Sequence, residues 1–550
     1  MLAGFDPETI TDLEGARSAI RMLLNLIEEM QSENQALRAE VASLRDEIQR
    51  LKGEQGRPDI KANKNKQRAE HSSEKERRQP KKWRKGKKKH QLRIDRVERL
   101  RIKAEDLPAD AVFKGTTETI VQDIRISTDN VCFVKEKYYS ASQQRVITAQ
   151  LPKGYGGQFG PGVRSLVITL HYAGGMTQAK IREFLEQCGI RISSGQLSNL
   201  LVKKHQSWHQ EKDAVWRAGL HSSDWQHLDD TATRVDGENQ HCHVMCNPFY
   251  TAYFTRAAKD RLTLIHLLQG TKSPQFLLTP QTLGWLRVFA TPRWAQRKIR
   301  AWPQNQPLEL PQLQDLLNRD GASLNQQQQA RILEAAALTA YHAQSSTPII
   351  PILVSDDASQ FQHLTKEQAL CWVHEGRHYK KLTPVVELHR RKVEAFLNDF
   401  WVFYHQLRAY QQEPTAVWAR QLSARFDELF STVTGFDQLD KRIAKTRAKR
   451  ERLLVVLDNP EVPLHNNPAE LGVRQRVRKR DISFGPRSAD GVAAWDSFMT
   501  LAETAKKLGV SFYEYVFDRV TQAYRLPSLP KLIRERSQLS GHATVYALGP

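Results

Sequence analysis

Three acidic positions stand where an acid is costly. A strand-like run, QHLDDTATRV, carries Asp229 and Asp230; an apolar run, IIPILVS, ends on Asp356-Asp357; and HNNPAELGVRQRVRKR sets Glu470 in the first turn of a helix. Carboxylates at the ends of core strands must be protonated, matched by cations or bound to a divalent ion. Taken alone, Glu470 reads as the third helical residue of a capping box, with Asn467 as N-cap and Pro468 at the first position. Taken with the two upstream aspartates and with Arg474, Arg476, Arg478, Lys479 and Arg480 just after it, Glu470 suits metal-assisted phosphoryl transfer on nucleic acid. Two Mg²⁺ ions about 4 Å apart need several hard oxygen ligands, partly shared, to activate the attacking oxygen and stabilise the leaving one. Mn²⁺ fits the same ligands.

The elements that must hold these acids follow from hydrophobic patterning. QHLDDTATRV, QHCHVMCN and YTAYFTRA are strand-like runs joined by the polar turns DGEN and PF, so they predict a strand meander. The run 349–355 predicts a buried strand. A helical stretch over about 271–345 separates the first aspartate from the second, and helices over about 380–458 separate the second from Glu470. Rival chemistries fit less well. In HCHVMC, His241 and His243 share one strand face while Cys242 and Cys246 share the other, so the four cannot converge on zinc, and no zinc is expected. Cys371 and His374 lack a third, orienting group for a thiol nucleophile. No phosphate-cradling glycine loop of the P-loop kind occurs.

The flanking sequence points to a polyanionic partner and to self-association. The 550 residues hold 82 Lys+Arg against 61 Asp+Glu, a formal charge of +21, and 40% of them are hydrophobic. Residues 57–103 alone supply +14, densest at Lys81, Lys82, Trp83, Arg84, Lys85, Lys87, Lys88 and Lys89. Such a segment suits sequence-independent phosphate contact through counterion release, with Trp83 free to stack on a base. Just before it, Leu23, Ile27, Met30, Asn34, Leu37, Val41, Leu44, Ile48 and Leu51 alternate in steps of four and three, a heptad seam. β-Branched or polar residues at a and Leu or Met at d favour a two-stranded parallel coiled coil, and Asn34 would fix its register. An amphipathic helix docked on its own protein is the alternative. Runs TTETIVQDIRI, VCFVKEKYYS and QRVITAQL predict a small antiparallel sheet, and a Thr177-capped helix followed by one opening at Ser193 or Ser194 makes a helix-turn-helix pattern. Five scattered cysteines, no apolar stretch of membrane-spanning length and no secretory leader predict a cytoplasmic protein with reduced thiols.

At four blocks the residues resemble the bacterial transposases of insertion sequence 66 type, members of the DDE superfamily with a ribonuclease H-like core. HLDDTATRV is similar to the first-aspartate strand, with Asp230 where Glu is usual. LVSDDASQF is similar to the second-aspartate strand and selects Asp356 over Asp357. CWVHEGRHYKK resembles the C-W-A-H-x-R-R motif at Cys371, Trp372, His374 and Arg377 or His378, although Glu375-Gly376 break the usual arginine pair. LHNNPAELGVRQRVRKRDISFG resembles the block supplying the glutamate. The family's cysteine-rich zinc module has no counterpart beyond Cys132, and the 127 positions from Asp229 to Asp356 exceed the usual spacing, so a divergent branch is implied.

The resemblance implies a multidomain α/β protein. The expected layout is a leucine zipper at 20–52, a basic DNA-contacting linker at 53–103, a β module at 104–155 and a helical unit at 156–210. A ribonuclease H-like catalytic core with two helical insertions follows at 211–500, then a C-terminal helix and tail at 501–550. The implied activity is DNA strand cleavage and transfer at the ends of the chain's own insertion element, with Asp229, Asp356 and Glu470 holding two Mg²⁺. The expected partners are DNA, a second copy and accessory proteins, with no membrane. A non-catalytic DNA-binding dimer and a structure-selective nuclease are the alternatives.

Overall fold

A computed structural model describes residues 10, 12–52, 94–108, 110–271, 273–320, 324–345 and 347–539. The basic run from Lys81 to Lys89, including Trp83, lies outside the described residues.

Helix α1 spans Leu13–Leu51, and Asp12 accepts from the Gly15 N–H at its start. Along the heptad seam, Ile27, Leu37, Val41, Leu44 and Ile48 are 46–53% exposed in the single chain. Another face docks on the chain itself. Asn25 donates to the Gly435 carbonyl and the Asp437 carboxylate, and buried Glu28 accepts from the backbone N–H groups of Val385 and Val386. The helix thus docks on its own chain through polar residues of one face, while the residues of the apolar seam are exposed.

Of the three runs expected to form a β module, the second and third give a hairpin, β1 (Lys137–Ser140) with β2 (Arg145–Thr148). TTETIVQDIRI forms no strand. Its Ile120, Val121, Ile124 and Ile126 are exposed, and strands with no covered face gain too little burial to order. Helices α2 (Pro161–Tyr172), α3 (Gln178–Gln187), α4 (Ser194–Val202) and α5 (Gln206–Leu220) follow. Thr177 caps α3, and Ser193 with Gln196 forms the capping box that opens α4.

The central sheet opens with the expected meander, β3 (Trp225–Val235), β4 (Glu238–Asn247) and β5 (Tyr250–Arg256), all antiparallel. Next come α6 (Arg261–Gln269), β6 (Gln275–Leu277), α7 (Pro280–Val288), α8 (Arg293–Arg300), β7 (Pro307–Glu309), α9 (Leu310–Asp320) and α10 (Gln326–Ala343). Strands β6 and β7 pair only with each other. Apolar β8 (Ile352–Ser355) returns to the sheet parallel to β3, and β9 (Glu367–Leu370) runs parallel to β8, giving the order β5-β4-β3-β8-β9.

Helix α11 (Trp372–Lys380) leads into α12 (Glu387–Tyr410), α13 (Ala416–Leu429), α14 (Asp437–Arg447) and the single turns α15 (Arg450–Leu453) and α16 (Val455–Asp458). This unit has its own aromatic core, built around Trp372, Phe400, Phe403, Phe426 and Phe430. Helix α17 (Asn467–Ser483) crosses the sheet, and α18 (Ala489–Lys507), α19 (Phe512–Val520) and α20 (Leu529–Leu539) end the described chain.

Helix α18 settles the outer edge of the sheet. The backbone N–H groups of Thr251, Tyr253 and Thr255 on β5 donate to the side chains of Thr504, Thr500 and Asp496 at 3.2, 3.0 and 2.7 Å. Four helical residues rise about 6 Å and two strand residues about 6.8 Å, so a D-x-x-x-T-x-x-x-T spacing matches every second strand residue. Among the described residues no helix is long and apolar enough to cross a membrane.

Candidate active site

The parallel pairing of β3 and β8 places the two aspartates. Trp225, Gln226 and His227 stand opposite Ile352, Leu353 and Val354. Counted on by two residues, the register brings Asp229, within β3 just past its pairing with β8, level with Asp356 at the carboxyl end of β8, the side of a parallel pair where α/β sheets hold ligands. Burial pushes the Asp229 carboxyl up to about 7; the Asp230 N–H opposes this, while the charges of Asp356, Glu470 and Asp230 reinforce it. Asp229 therefore sits within electrostatic reach of both other acids of the expected set. Among the described residues, no three His, Cys, Asp or Glu side chains close around a single point as a finished metal cage.

Each aspartate pair divides its roles. Asp357 meets Lys449 at 2.8 Å and Arg452 at 2.6 Å. Burial alone would raise its pKa, but these two cations hold it below the ordinary range. Asp230 accepts from the Gln360 side chain at 3.2 Å. The Asp356 carboxylate accepts a local bond from the Ala358 N–H at 3.1 Å and meets no cation of the kind that holds Asp357 among the described residues.

Glu470 departs from the capping expectation. The N-cap is Asn466, the helix begins at Asn467, Glu470 is its fourth residue, and no side-chain cap bond forms. Asn466 is occupied elsewhere: its Nδ2 donates to the Leu228 carbonyl at 2.9 Å, and its Oδ1 accepts from His227 Nδ1 at 2.9 Å. Burial drives the His227 pKa down to about 3, so the ring is neutral. The start of α17 is thereby pinned to β3 one residue before Asp229. Gly472 allows the close approach, since a Cβ there would lie 2.7 Å from Val244 Cγ1 on β4. Glu470 itself is gripped by Arg377, whose Nη1 and Nη2 donate to its two oxygens at 3.3 and 3.0 Å.

The C-W-x-H segment is the scaffold for that grip. Cys371 Sγ accepts from the N–H groups of His374 and Asn466 at 3.4 and 3.3 Å, so the thiol joins the starts of α11 and α17. Burial raises its pKa to about 11, which keeps it a neutral thiol and rules out a resting thiolate nucleophile. His374 faces Asp356 and Glu470; burial lowers its pKa and those two charges oppose the shift. Glu375, buried, binds Arg442, Lys449 and Thr446 on the helical insertion. A Cβ on Gly376 would lie 2.9 Å from Trp401 Cζ2. The Glu-Gly that interrupts the arginine pair thus anchors α11 against α12 and α14.

Two basic residues expected to bind DNA are corrected by their burial. Arg476 Nη2 donates to Thr255 Oγ1 at 2.9 Å and Nη1 lies 3.6 Å from Asp496. Lys479 Nζ donates to the His171 carbonyl at 2.6 Å between the rings of Tyr172 and Trp495, and burial lowers its pKa to about 7. With Ala469 and Gly472 they form the buried stripe of α17, at spacings of three, four and three that mark one helix face. Arg474 and Arg478 remain exposed, and Arg480 is half-buried with Nη1 on the Ala232 carbonyl. His227, Asn466 and Arg377 are the positioning residues that acid spacing alone did not reveal.

The family model described as "Transposase IS66 family" matches residues 156–274 and 326–494. An uncharacterized protein of Sinorhizobium fredii, y4jO, is 34% identical over 304 residues, which cover 55% of this chain and 94% of that protein. The family match takes in β3, β8, α11 and α17 and leaves out most of the segment between α6 and α10. On this match over more than half of its length, the chain belongs to the IS66 transposase family.

Proposed function

We propose that this transposase binds the ends of its own element and catalyses metal-dependent DNA strand cleavage and strand transfer on a ribonuclease H-like core, with Asp229, Asp356 and Glu470 as the reacting set. The observation that carries this reading is Asp229, a carboxyl on β3 level with Asp356 and pushed up to about 7 by burial and by the charges of Asp356 and Glu470. Mutually repelling acids at one sheet edge fit a divalent-cation site, because cations remove the repulsion. Bound Mg²⁺, or Mn²⁺ in its place, supplies Lewis-acid polarisation of the scissile phosphate and activates the attacking hydroxyl. The strand order, an antiparallel meander followed by two parallel strands, supports the ribonuclease H-like reading.

In this reading Asp229 and Asp356 hold the ions from two adjacent strands, and Glu470 completes the set from α17. Asn466 and His227 keep that helix against β3. Arg474, Arg478 and Arg480, with Lys81 to Lys89 and Trp83, contact the DNA backbone. The open seam of α1, from Leu23 through Asn34 to Leu51, pairs two copies. The experiment is excision in cells of a marker flanked by the gene's own surrounding DNA, comparing the wild type with Glu470→Gln. Excision by the wild type alone supports the reading, and excision by both removes Glu470 from the site.

A second reading, a DNA-binding dimer whose carboxylates serve only the fold, draws on the Arg377 fork, which already satisfies both oxygens of Glu470. Nicking of flanking DNA that requires Mn²⁺ or Mg²⁺ and is lost in Asp229→Asn decides against it.

A further inference from the structure

The segment that the family match omits carries a surface of its own. From Gln281 to Leu308 the sequence contains Arg287, Arg293, Arg297, Lys298 and Arg300 and no acid. All five are exposed. Ala295 and Ile299 fill the buried side of α8, and Arg293, Arg297 and Arg300 fall at steps of four and three, so they line one outward stripe. Lys298 lies beside it, over the Trp294 ring at 5.6 Å.

Helix electrostatics account for only part of this placement. Cations at a helix carboxyl end complement its dipole, which accounts for Arg297, Lys298 and Arg300, but Arg293 occupies the first helical position, where the dipole disfavours a cation. Arg293 and Arg297 are also like charges four residues apart, a destabilising pair. A solubilising face would intersperse acids, and this one has none.

The stripe is also tied to the reaction centre. Trp285 and Phe289 at the end of α7 pack on His363, with ring centroids 6.5 and 6.2 Å away, and Arg261 lies 4.8 Å over the Phe289 ring while donating to the carbonyls of Ser359 and Gln362. Those residues form the loop that follows Asp356. Its Gln360 reaches Asp230. Helix α7, which carries Arg287 and precedes the basic helix α8, therefore packs on the same loop that borders the acids.

We infer that Arg287, Arg293, Arg297, Lys298 and Arg300 form a second DNA-gripping surface, which holds the sugar-phosphate backbone of duplex flanking the reacting phosphate without reading its sequence. The inference rests on the transposase reading for the choice of DNA as the polyanion. It goes beyond that reading in assigning a binding role to a segment outside the family match.

The test is equilibrium binding of the full-length protein to a random-sequence duplex, followed by fluorescence anisotropy over a salt series. Arg293→Ala/Arg297→Ala/Arg300→Ala is compared with the wild type and with the triple lysine replacement. Each lost phosphate contact lowers the slope of log K against log salt by about 0.9, so the alanine variant should lose a slope of about 2–3 and bind roughly tenfold or more weakly at low salt. The lysine variant, which keeps the charges, should retain the wild-type slope. An alanine variant with wild-type circular dichroism and an unchanged slope overturns the inference and would direct the stripe to an acidic protein surface instead. Failure of the wild type itself to bind duplex would overturn the DNA reading as well, which distinguishes the two failures.

Discussion

Arg377 and Glu470 meet fork to fork, the guanidinium of α11 donating to both oxygens of the α17 carboxylate at 3.3 and 3.0 Å. The pair joins the two helices that flank the strand-end aspartates, and it supplies a protein cation where the charges of Asp229 and Asp356 accumulate. Arg377→Ala leaves three acids with less compensation. We expect it to lower the stability of the metal-free protein by ~1–3 kcal/mol, and Mn²⁺ should then raise its melting temperature by more than it raises that of the wild type. An equal rise in both proteins would place Arg377 outside the influence of the acids.

The raised pKa of Asp229 makes stability depend on pH. The unfolded chain loses this proton near the ordinary value of 3.8, whereas the folded chain keeps it until about 7. The folded state therefore binds more protons between those values, and stability falls as pH rises through that window and levels off above it. Asp229→Asn removes the fall. In metal-free protein the variant should be more stable than the wild type at about pH 8, by at most ~4 kcal/mol, with the gap narrowing towards about pH 4. Parallel pH profiles in thermal melts would contradict this.

The Gly472 contact predicts a rescue. In Gly472→Ala the new methyl meets Val244 Cγ1 and pushes α17, with Glu470, away from the sheet. Overpacking of this kind costs ~1–3 kcal/mol and displaces the glutamate. Combining it with Val244→Ala opens the space again, so excision should fall in the single variant and recover at least partly in the double. If the double variant is no better than the single one, the methyl contact is not what limits activity.

Asp496 accepts from both the N–H and the hydroxyl of Thr255 and faces buried Arg476. Asp496→Ala strands all three partners, and removing one member of a buried charge pair costs ~3–5 kcal/mol. The melting temperature should drop accordingly, whereas Arg478→Ala, at an exposed position of α17, should leave it nearly unchanged. A similar small effect in both would show that Arg476 finds another partner.

The α1 seam gives a prediction about assembly. Leu37 and Leu44 are half exposed in the single chain, so Leu37→Lys/Leu44→Lys should leave the circular dichroism of the core intact while light scattering after size exclusion reports a monomer. A dimer that survives the double change would have to form through another surface.

Much of the arrangement around the acids was legible because its elements are local and strongly patterned. The meander from Trp225 to Arg256 consists of strand-like runs separated by polar turns, and the short apolar run before Asp356 matches a buried strand. What depends on contacts between distant segments was not legible. Apart from the family resemblance, residue types alone leave Asp356 and Asp357 as equals, and what separates them in the fold is that Lys449 and Arg452, more than ninety residues later, fold onto the second. The capping pattern points to Asn467, whereas the N-cap is Asn466, whose side chain spans to β3. Arg476 and Lys479 resemble DNA contacts when a basic run is judged by charge alone, yet both are buried. Their spacing with Ala469 and Gly472 marks an inward stripe, and that signal was present in the sequence.

The side-chain ladder that α18 lays along β5 has a bearing on how copies of this protein can come together. An outer strand that offered free N–H groups could template a strand from a neighbouring chain. Here those of Thr251, Tyr253 and Thr255 are already spent. Extension of the sheet from one molecule into the next is closed off at this margin, so any partner that meets it must do so through side-chain surfaces.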